Sequence, residues 1–252
     1  MKIVLLQLDI EWSDPQANIL RAERLMAQAG EADLYVLPEM WATGFATRPQ
    51  GVAEDESSSQ ALRWMRQTAS ERQCAVAGSL AVRVGDGSYR NRHYFVMPGD
   101  EVFYDKHHLF THGHEHEAYT AGQEHAIVDW RGLRWLLLTC YDLRFPLWSR
   151  YGKAGEYDAI IYAANWPAAR QEAWEVLTRA RAIENQCYVV AVNRVGDDPV
   201  GHYQGGSQVV EPIGSVVAAC NKNAEQPLVV ELSMENVLKR RRHFRVLDDR
   251  DV

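Results

Sequence analysis

The sequence predicts an α/β protein built on mixed β-sheets. Apolar segments at 2–8 and 33–37 flank an amphipathic segment at 15–29, and such a βαβ unit implies parallel strands with a right-handed crossover. Hairpin patterns occur at 90–105 and 206–220, and hairpins join antiparallel strands. Crossovers and hairpins together favour two mixed sheets that pack face to face with helices outside.

The first helix, at 15–29, has boundary signals at both ends. Ser13 or Asp14 can cap its first turn, and Pro15 favours the first helical position. Gly30 can end the helix because glycine tolerates the backbone angles that follow a last turn. These signals set the length of the crossover between the first two strands.

The remaining elements continue the same alternation. Turn residues divide both hairpins, with Pro98-Gly99-Asp100 in the first and Glu211-Pro212-Ile213-Gly214 in the second. No linker, low-complexity segment or short repeat interrupts the chain, so we expect a single domain over 1–252. The other predicted elements are helices at 59–72 and 170–186, strands at 74–83, 133–139, 158–163, 187–193 and 227–232, and a C-terminal helix.

Composition excludes several classes of protein. The 252 residues carry a net charge of −7, which argues against nucleic acid as a partner because phosphate binding needs a basic surface. The Cys residues are too widely spaced for a metal or disulfide framework. No apolar stretch approaches a membrane span or a signal peptide. We therefore expect a cytoplasmic protein with reduced thiols and no membrane partner.

Three reactive side chains stand at predicted strand ends. Glu39 follows the strand at 33–37, Lys106 follows the first hairpin, and Cys140 follows the strand at 133–139. Each alone is more often a surface charge or a core cysteine. Together they supply a base, a cation and a nucleophile, which suits acyl transfer. We also expect a helix start after Cys140 to lower the pKa of the thiol.

Three motifs in chain order resemble the nitrilase, or carbon–nitrogen hydrolase, superfamily. They are Pro38-Glu39-Met40, Tyr104-Asp105-Lys106-His107-His108-Leu109-Phe110 and Cys140-Tyr141-Asp142-Leu143-Arg144-Phe145-Pro146. The resemblance covers nearly the whole chain. Ala164-Asn165-Trp166-Pro167 and the segment 179–186 resemble the bacterial omega-amidases within that superfamily, which hydrolyse the terminal amide of 2-oxoglutaramate.

The resemblance implies a four-layer αββα sandwich and catalysis by Glu39, Lys106 and Cys140. The activity it implies is hydrolysis of a small ω-amide through a thioester, with no metal or organic cofactor and with a homodimer as the assembly. A nitrile, carbamoyl or aliphatic amide substrate would use the same groups. A second glutamate precedes an aromatic-then-glycine pattern in relatives, which selects Glu115 over Glu117.

Five further residues are candidates for substrate binding. The backbone N–H of Tyr141 could bind the oxyanion, while Asn165 and Trp166 could form the opposite pocket wall. His107 could touch the substrate because it follows the lysine. We expect Arg144 to be braced by Asp142 or Glu184, and the sharper alternative is that Arg144 captures a substrate carboxylate.

The histidines leave open a different class of function, namely metal binding. His112, His114 and His116 alternate, and His107-His108 is close in sequence, so the 107–116 loop could bind zinc in a non-catalytic protein. A glycine-containing loop is a poor frame for a metal, and the cysteines are far away. Solvated or pocket-lining histidines are therefore the favoured interpretation.

Overall fold

A computed structural model describes residues 1–251. The strands β1 to β15 span, in chain order, Lys2–Gln7, Leu34–Val36, Glu54–Asp55, Ala75–Arg83, Tyr89–Met97, Asp100–Asp105, Ile127–Trp130, Leu133–Thr139, Ala159–Ala164, Tyr188–Asn193, Val195–Asp198, Gly201–Gln204, Gln208–Val210, Val216–Ala219 and Gln226–Glu231. The helices α1 to α5 span Pro15–Ala29, Gln60–Arg72, Pro146–Ser149, Gln171–Asn185 and Met234–His243.

The start of α1 follows from its capping residues. The Asp14 side chain accepts a hydrogen bond from the backbone N–H of Ala17 at 2.9 Å, which satisfies one of the donors that a helix start leaves open. Pro15 occupies the first turn, and the Gly30 N–H donates to Met26 O at 3.0 Å at the other end. Among residues 1–251, no helix has the length and apolarity needed to cross a bilayer.

Two large sheets form the centre of the molecule. One has the strand order β15-β1-β2-β4-β5-β6, with β3 paired to β4, and the other has the order β14-β13-β10-β9-β8-β7. Both are mixed, because β1, β2 and β4 are parallel in the first and β8, β9 and β10 are parallel in the second. The remaining strands of these two paths are antiparallel to their neighbours.

Alternation along β1 explains the layers. Ile3 and Leu5 join a core shared with the second sheet, whereas Val4 and Leu6 join a core shared with α1 and α2. Side chains on a strand alternate between its two faces, so one buried strand contributes to both cores. Helix α4 covers the outer face of the second sheet through residues such as Trp174. The predicted αββα sandwich is confirmed.

Some elements were not predicted. β7 pairs with β8 around a tight turn in which Arg131 and Gly132 both have positive φ, and no strand was predicted at 127–130. A strand of only four residues at a sheet edge has too short an apolar pattern to detect. The β11–β12 hairpin was missed for the same reason, since each of its strands is equally short.

The topology brings the carboxyl ends of several strands together. β8 and β9 are parallel and in register, with Thr139 opposite Ala163. Cys140 and Asn165 therefore leave the second sheet side by side. The first sheet packs against this one, so the residues that follow β2 and β6 meet the same edge, as is common for sites in α/β folds.

Candidate active site

Cys140 occupies a strained turn directly after β8. Its φ is +44°, in the left-handed region that a residue with a Cβ rarely adopts. It begins a 3-10 helix, Cys140–Arg144. The strand fixes one side of the turn and the short helix fixes the other. The Sγ atom lies 3.8 Å from the carbonyl oxygen of Asn165, which follows the neighbouring strand.

The surroundings of the thiol favour its protonated form. Burial is the largest influence and raises the pKa of Cys140, Glu39 raises it further, and Lys106 lowers it. The resulting pKa lies well above the usual range of a thiol. The expectation that a helix start would lower this pKa is therefore wrong. The thiol needs a base when it reacts, and Glu39 is the carboxylate with the largest influence on its pKa.

Glu39 lies at the point where the chain leaves the first sheet. The Leu37 N–H donates to Ala77 O of β4 at 2.7 Å. Pro38 has no N–H with which to continue this pairing. The Glu39 side chain is fully buried. Its Oε1 accepts hydrogen bonds from Lys106 Nζ and Asn91 Nδ2, each at 2.8 Å. Its Oε2 accepts the Asn165 backbone N–H at 2.9 Å.

Lys106 extends from the end of β6 into the same buried space. Its Nζ lies 2.8 Å from both Glu39 Oε1 and Glu115 Oε2, and 5.3 Å from the centre of the Phe45 ring. Burial alone would lower the pKa of Lys106, but the two carboxylates outweigh it, so the pKa is raised. An ammonium has three N–H donors. Two of them serve carboxylates here, which leaves one for a ligand.

Glu115 and Glu117 have opposite environments. Glu115 is fully buried, and its Oε2 accepts the Phe110 backbone N–H at 2.7 Å as well as the lysine. Burial, the largest influence, raises the pKa of Glu115, while Lys106 opposes that effect. Glu117 is exposed and pairs with His114 at the surface. The structure thus brings Glu115, the residue that the resemblance selected, to Lys106.

Gly122 holds the loop that carries Glu115 close to the segment that carries Lys106. A Cβ at Gly122 would lie 2.2 Å from the Asp105 carbonyl oxygen, so only glycine permits this approach. The Gly122 N–H donates to Lys106 O at 3.1 Å. The loop that carries Glu115 is therefore anchored on the backbone of the lysine itself.

Asp142 ties the turn that holds the nucleophile to the segment that holds the lysine. Its Oδ2 accepts the Thr139 N–H at 3.0 Å and the Tyr104 hydroxyl at 2.7 Å. Its Oδ1 accepts the His108 N–H at 2.9 Å and lies 2.8 Å from the Nδ1 of the same residue. Tyr104 and His108 flank Lys106 in sequence. The buried carboxylate of Asp142 therefore fixes the distance between Lys106 and Cys140.

Cys140 lines a cleft at this edge of the sheets. Asn165, Arg144 and Arg170 are among the polar residues that line it. The other walls are apolar or aromatic and consist of Phe45, Phe110, Tyr141, Trp166, Pro167, Val200 and Tyr203. A cleft of this kind, mostly apolar with a few convergent polar groups, suits a small organic ligand.

Neither arginine of the cleft has an ion-pair partner within residues 1–251. The Arg144 guanidinium carbon lies 4.9 Å from the centre of the Trp166 ring, and that of Arg170 lies 5.2 Å from the Phe110 ring. The expected brace for Arg144 was wrong, because Asp142 bonds to other groups and Glu184 pairs with Arg181. Neither positive charge is therefore balanced by a carboxylate among the described residues.

Tyr141, Asn165 and Trp166 all line the cleft. Asn165 also donates its Nδ2 to the backbone oxygen of Glu39 at 2.5 Å, so it joins the two sheets at the site. The Trp166 N–H donates to Asn193 Oδ1 at 2.8 Å, and its indole N–H donates to Arg170 O at 2.8 Å. Trp166 is thus a fixed wall against which Arg144 lies.

A family model described as carbon-nitrogen hydrolase matches residues 2–242. The chain belongs to this family. Omega-amidase YafV of Yersinia enterocolitica is 42% identical over 253 residues, which cover 100% of this chain and 97% of that protein. The 2-oxoglutaramate amidase of Bacillus subtilis is 34% identical over 97% of this chain and 95% of its own length.

Solved structures agree with the assignment of this chain as a carbon–nitrogen hydrolase. A CN-hydrolase superfamily protein from Xanthomonas campestris, with an arsenic adduct in its active site, has a TM-score of 0.94 and 36% identity, covering 100% of this chain and 97% of that one. A mutant amidase from Nesterenkonia, with acrylamide added to its active-site cysteine, has a TM-score of 0.82 and 25% identity, covering 98% and 99%. The predicted superfamily and enzyme class are confirmed.

The histidines of the hydrolase do not converge. His107 stacks on Trp148 with ring centres 3.6 Å apart, and its Nδ1 lies 2.7 Å from Gly122 O. It does not line the cleft, so its expected substrate contact has no support in this arrangement. The described residues 1–251 contain no group of three or more histidine, cysteine or acidic side chains placed to hold a metal. His114 instead contacts the exposed Glu117.

Four residues of the site were not predicted from the sequence: Asn91, Arg170, Phe45 and Tyr203. Asn91 touches Glu39 and Glu115, and the other three line the cleft. Arg170 follows Trp166 and Pro167 so closely that it could have been inferred once that segment was taken as a pocket wall. Asn91 carries no such signal, since it is one polar residue inside a strand.

Proposed function

We propose that this carbon–nitrogen hydrolase is an omega-amidase that acts on small 2-oxo-dicarboxylate monoamides of the 2-oxoglutaramate type. The observation that carries the proposal is Arg144, a cation without a carboxylate partner in the cleft of Cys140. Such a substrate has an amide at one end and an anion at the other. A nucleophile and a guanidinium in one cleft match those two ends. Two full-length relatives, an omega-amidase and a 2-oxoglutaramate amidase, support the same substrate.

The first half-reaction forms a thioester. Glu39 takes the thiol proton while Cys140 Sγ attacks the amide carbon, and the carbonyl oxygen becomes an oxyanion. The free N–H of Lys106 and the backbone N–H of Tyr141 stabilise that charge. The C–N bond then breaks, and Glu39 gives its proton to the departing nitrogen, so ammonia leaves and the acyl group remains on sulfur.

The second half-reaction returns the enzyme to its starting state. Glu39 takes a proton from a water molecule, and the water oxygen attacks the thioester carbon. The C–S bond breaks, sulfur regains its proton from Glu39, and the product carboxylic acid ionises on release. This cycle suits a thiol that is protonated at rest, because Glu39 moves the proton in both halves.

Arg144 and Arg170 would each bind one group at the polar end of the substrate. Both residues line the cleft, and the guanidinium of each lies over an aromatic ring. A guanidinium binds a carboxylate through two parallel hydrogen bonds. One arginine can therefore hold the carboxylate while the other contacts the 2-oxo group. Glu115 orients Lys106 in this scheme and does not contact the reacting carbon.

The proposal is tested by ammonia release from a panel of substrates. The panel contains 2-oxoglutaramate, glutamine, asparagine, a simple aliphatic amide, a carbamoyl compound and a nitrile. We expect the highest kcat/KM for 2-oxoglutaramate. Glutamine differs from it only in carrying an amino group in place of the 2-oxo group, so it is the matched control for that end. A higher kcat/KM for the aliphatic amide or the nitrile would overturn the substrate assignment.

A chelator arm addresses the metal-binding alternative. We expect no cofactor requirement, so dialysis against a chelator should leave ammonia release unchanged. A stoichiometric metal whose removal abolishes the rate and whose return restores it would make the 107–116 loop the functional site. The same preparation serves both arms, so a loss of rate cannot be attributed to a different sample.

We further propose that the hydrolase is a homodimer. Helix α4 exposes Val176 and Ile183, and the adjacent β13–β14 hairpin exposes Ile213, Val216 and Val217. These two elements are joined by a hydrogen bond from Arg179 Nε to Gly214 O at 3.0 Å. An apolar surface of this kind suits a self-complementary interface. Sedimentation should give a dimer, Ile183→Glu should weaken it, and Leu20→Glu on α1 should not.

A cytoplasmic location and a single functional domain complete the proposal. All the cysteines of the described chain are free, and a nucleophilic thiol needs a reducing compartment to stay active. The catalytic candidates come from both large sheets, so neither sheet could work alone. Fractionation of cells by activity assay would test the location. Separate expression of 1–105 and of 127–219, the segments that carry β1 to β6 and β7 to β14, should give no active fragment.

A further inference from the structure

Asn91 lies on β5 beneath both catalytic-site carboxylates. Its side chain is buried, with 1% of its surface exposed. The Nδ2 atom donates to Glu39 Oε1 at 2.8 Å and to Glu115 Oε1 at 2.9 Å. A carboxamide nitrogen has two N–H groups, so each carboxylate receives one of them. The role of this residue is not explained by the acyl-transfer scheme above.

The orientation of the carboxamide is fixed by Ser79. The Met40 backbone N–H donates to Ser79 Oγ at 2.9 Å, and that hydroxyl donates to Asn91 Oδ1 at 2.8 Å. Because the hydroxyl proton points at Oδ1, the amide oxygen faces Ser79 and the amide nitrogen faces the carboxylates. Met40 directly follows Glu39, so the relay begins on the backbone of the catalytic glutamate.

Four hydrogen bonds close a ring through the site. Lys106 bridges Glu39 and Glu115 on one side, and Asn91 bridges the same two carboxylates on the other. The ring contains one positive and two negative charges, all buried. A buried charge is costly unless it is hydrogen-bonded or paired. Asn91 supplies two donors without adding charge, which an acidic residue of the same shape could not do.

We propose that Asn91 is a positioning residue that holds both glutamates ionised and leaves Glu39 Oε2 as the oxygen that takes the thiol proton. Glu39 Oε1 already accepts two donors, Lys106 and Asn91, whereas Oε2 accepts only the Asn165 N–H. An oxygen with a free lone pair is the better proton acceptor. This inference rests on the proposed acyl transfer at Cys140 but not on the identity of the amide.

The test uses Asn91→Asp, which keeps the shape and replaces the donor with a third acid. The cluster should then bind an extra proton near neutral pH, because three like charges disfavour one another. While Glu39 shares that proton it cannot act as the base. We measure the rate at which iodoacetamide alkylates Cys140 as a function of pH, by mass spectrometry. This reaction needs an activated thiol but no substrate.

The acid limb of the alkylation profile should move to higher pH by about one unit or more in Asn91→Asp. The acid limb of kcat/KM should move in the same direction, with KM nearly unchanged. Asn91→Ala, which removes the donors without adding an acid, should shift both limbs the same way by less. Asn185→Asp is the matched control, because Asn185 is also buried and bonds only to backbone groups away from the cleft.

An unchanged acid limb in a folded Asn91→Asp or Asn91→Ala protein would overturn the inference. A shift of equal size in Asn185→Asp would also overturn it, because the effect would then be a general result of a buried acid. Alkylation that shifts as expected while 2-oxoglutaramate is not hydrolysed would retain the role of Asn91 and reject the proposed substrate. The two claims therefore fail separately.

Discussion

Lys106 Nζ lies 2.8 Å from Glu39 Oε1, and both side chains are closed to solvent. The pair places a fixed positive charge against Glu39, the proposed base. Because the neighbouring carboxylates raise the pKa of Lys106 despite its burial, the ammonium keeps its charge throughout the cycle. In this dry environment the same charge acts on an oxyanion more strongly than it would in water. In the proposed mechanism the ammonium therefore stabilises the oxyanion and does not transfer a proton.

Lys106→Ala should lower kcat far more than it raises KM. The contact with the substrate oxygen strengthens in the transition state, and loss of one such donor costs on the order of 10²–10³ in rate. The substitution also leaves two buried carboxylates without their cation, so some loss of stability is expected. Steady-state kinetics with circular dichroism separates the two effects. A folded variant with wild-type kcat would contradict the assigned role.

Glu115→Gln should lower kcat without unfolding the protein. Glutamine keeps the shape of Glu115 but removes the charge that holds Lys106 at 2.8 Å. Glu117→Gln is the control, because Glu117 is exposed and bonds only to His114, and it should retain wild-type kinetics. If the exposed glutamate proves to be the sensitive one, the assignment of the second glutamate is wrong by two residues.

Arg144→Gln should reduce kcat/KM for 2-oxoglutaramate by about 10- to 100-fold, the usual effect of losing a hydrogen bond to a charged group. The loss should appear mainly in KM, because the carboxylate is bound equally in the ground and transition states. An aliphatic amide without a carboxylate is the matched substrate, and its kinetics should not change. Arg63→Gln, on the exposed face of α2, controls for loss of surface charge. Equal losses of kcat/KM on both substrates would show that Arg144 does not bind the substrate carboxylate.

Stability should fall as the pH falls below the ordinary pKa of histidine, partly because of His93. Burial lowers the pKa of His93 from 6.5 to about 4, so the unfolded chain takes up a proton that the native protein excludes. This contribution of His93 to the free energy of unfolding is thus fully present above pH 6.5 and is lost as the pH falls towards 4. The shift corresponds to on the order of 3 kcal/mol.

Urea unfolding at neutral and acid pH, for the wild type and for His93→Gln, measures this loss. His93→Gln should lose less stability on acidification because glutamine does not titrate. His202→Gln is the exposed control and should follow the wild type. If His93→Gln and the wild type lose the same stability, His93 does not contribute to the acid sensitivity.

Local sequence patterns predicted the parts of the site that depend on one strand end each. Glu39, Lys106 and Cys140 each follow an apolar segment, so the sequence located them without knowledge of the sheets. Asn91 could not be found in this way, because its contacts depend on β5 lying beside β4 and on Glu39 and Glu115 reaching it from different loops. Strand pairing, not strand pattern, makes it part of the site.

Electrostatic properties were harder to predict than positions. The helix start after Cys140 suggested a lowered thiol pKa, but burial and Glu39 dominate and raise it. Arg144 was expected to be braced, because a bare arginine at a helix start is unfavourable. Its guanidinium instead lies over Trp166, a contact that depends on how the ends of β8 and β9 are placed. Both outcomes depend on desolvation and on neighbours that are distant in sequence.

The central claim is that Cys140 carries the acyl group, and ammonia release from 2-oxoglutaramate by Cys140→Ala tests it most directly. The purified variant should keep the native circular dichroism spectrum and release no ammonia above the uncatalysed rate. Cys74→Ala, Cys187→Ala and Cys220→Ala should each retain activity, since those thiols are buried away from the cleft. Ammonia release at the wild-type rate from folded Cys140→Ala would contradict the account.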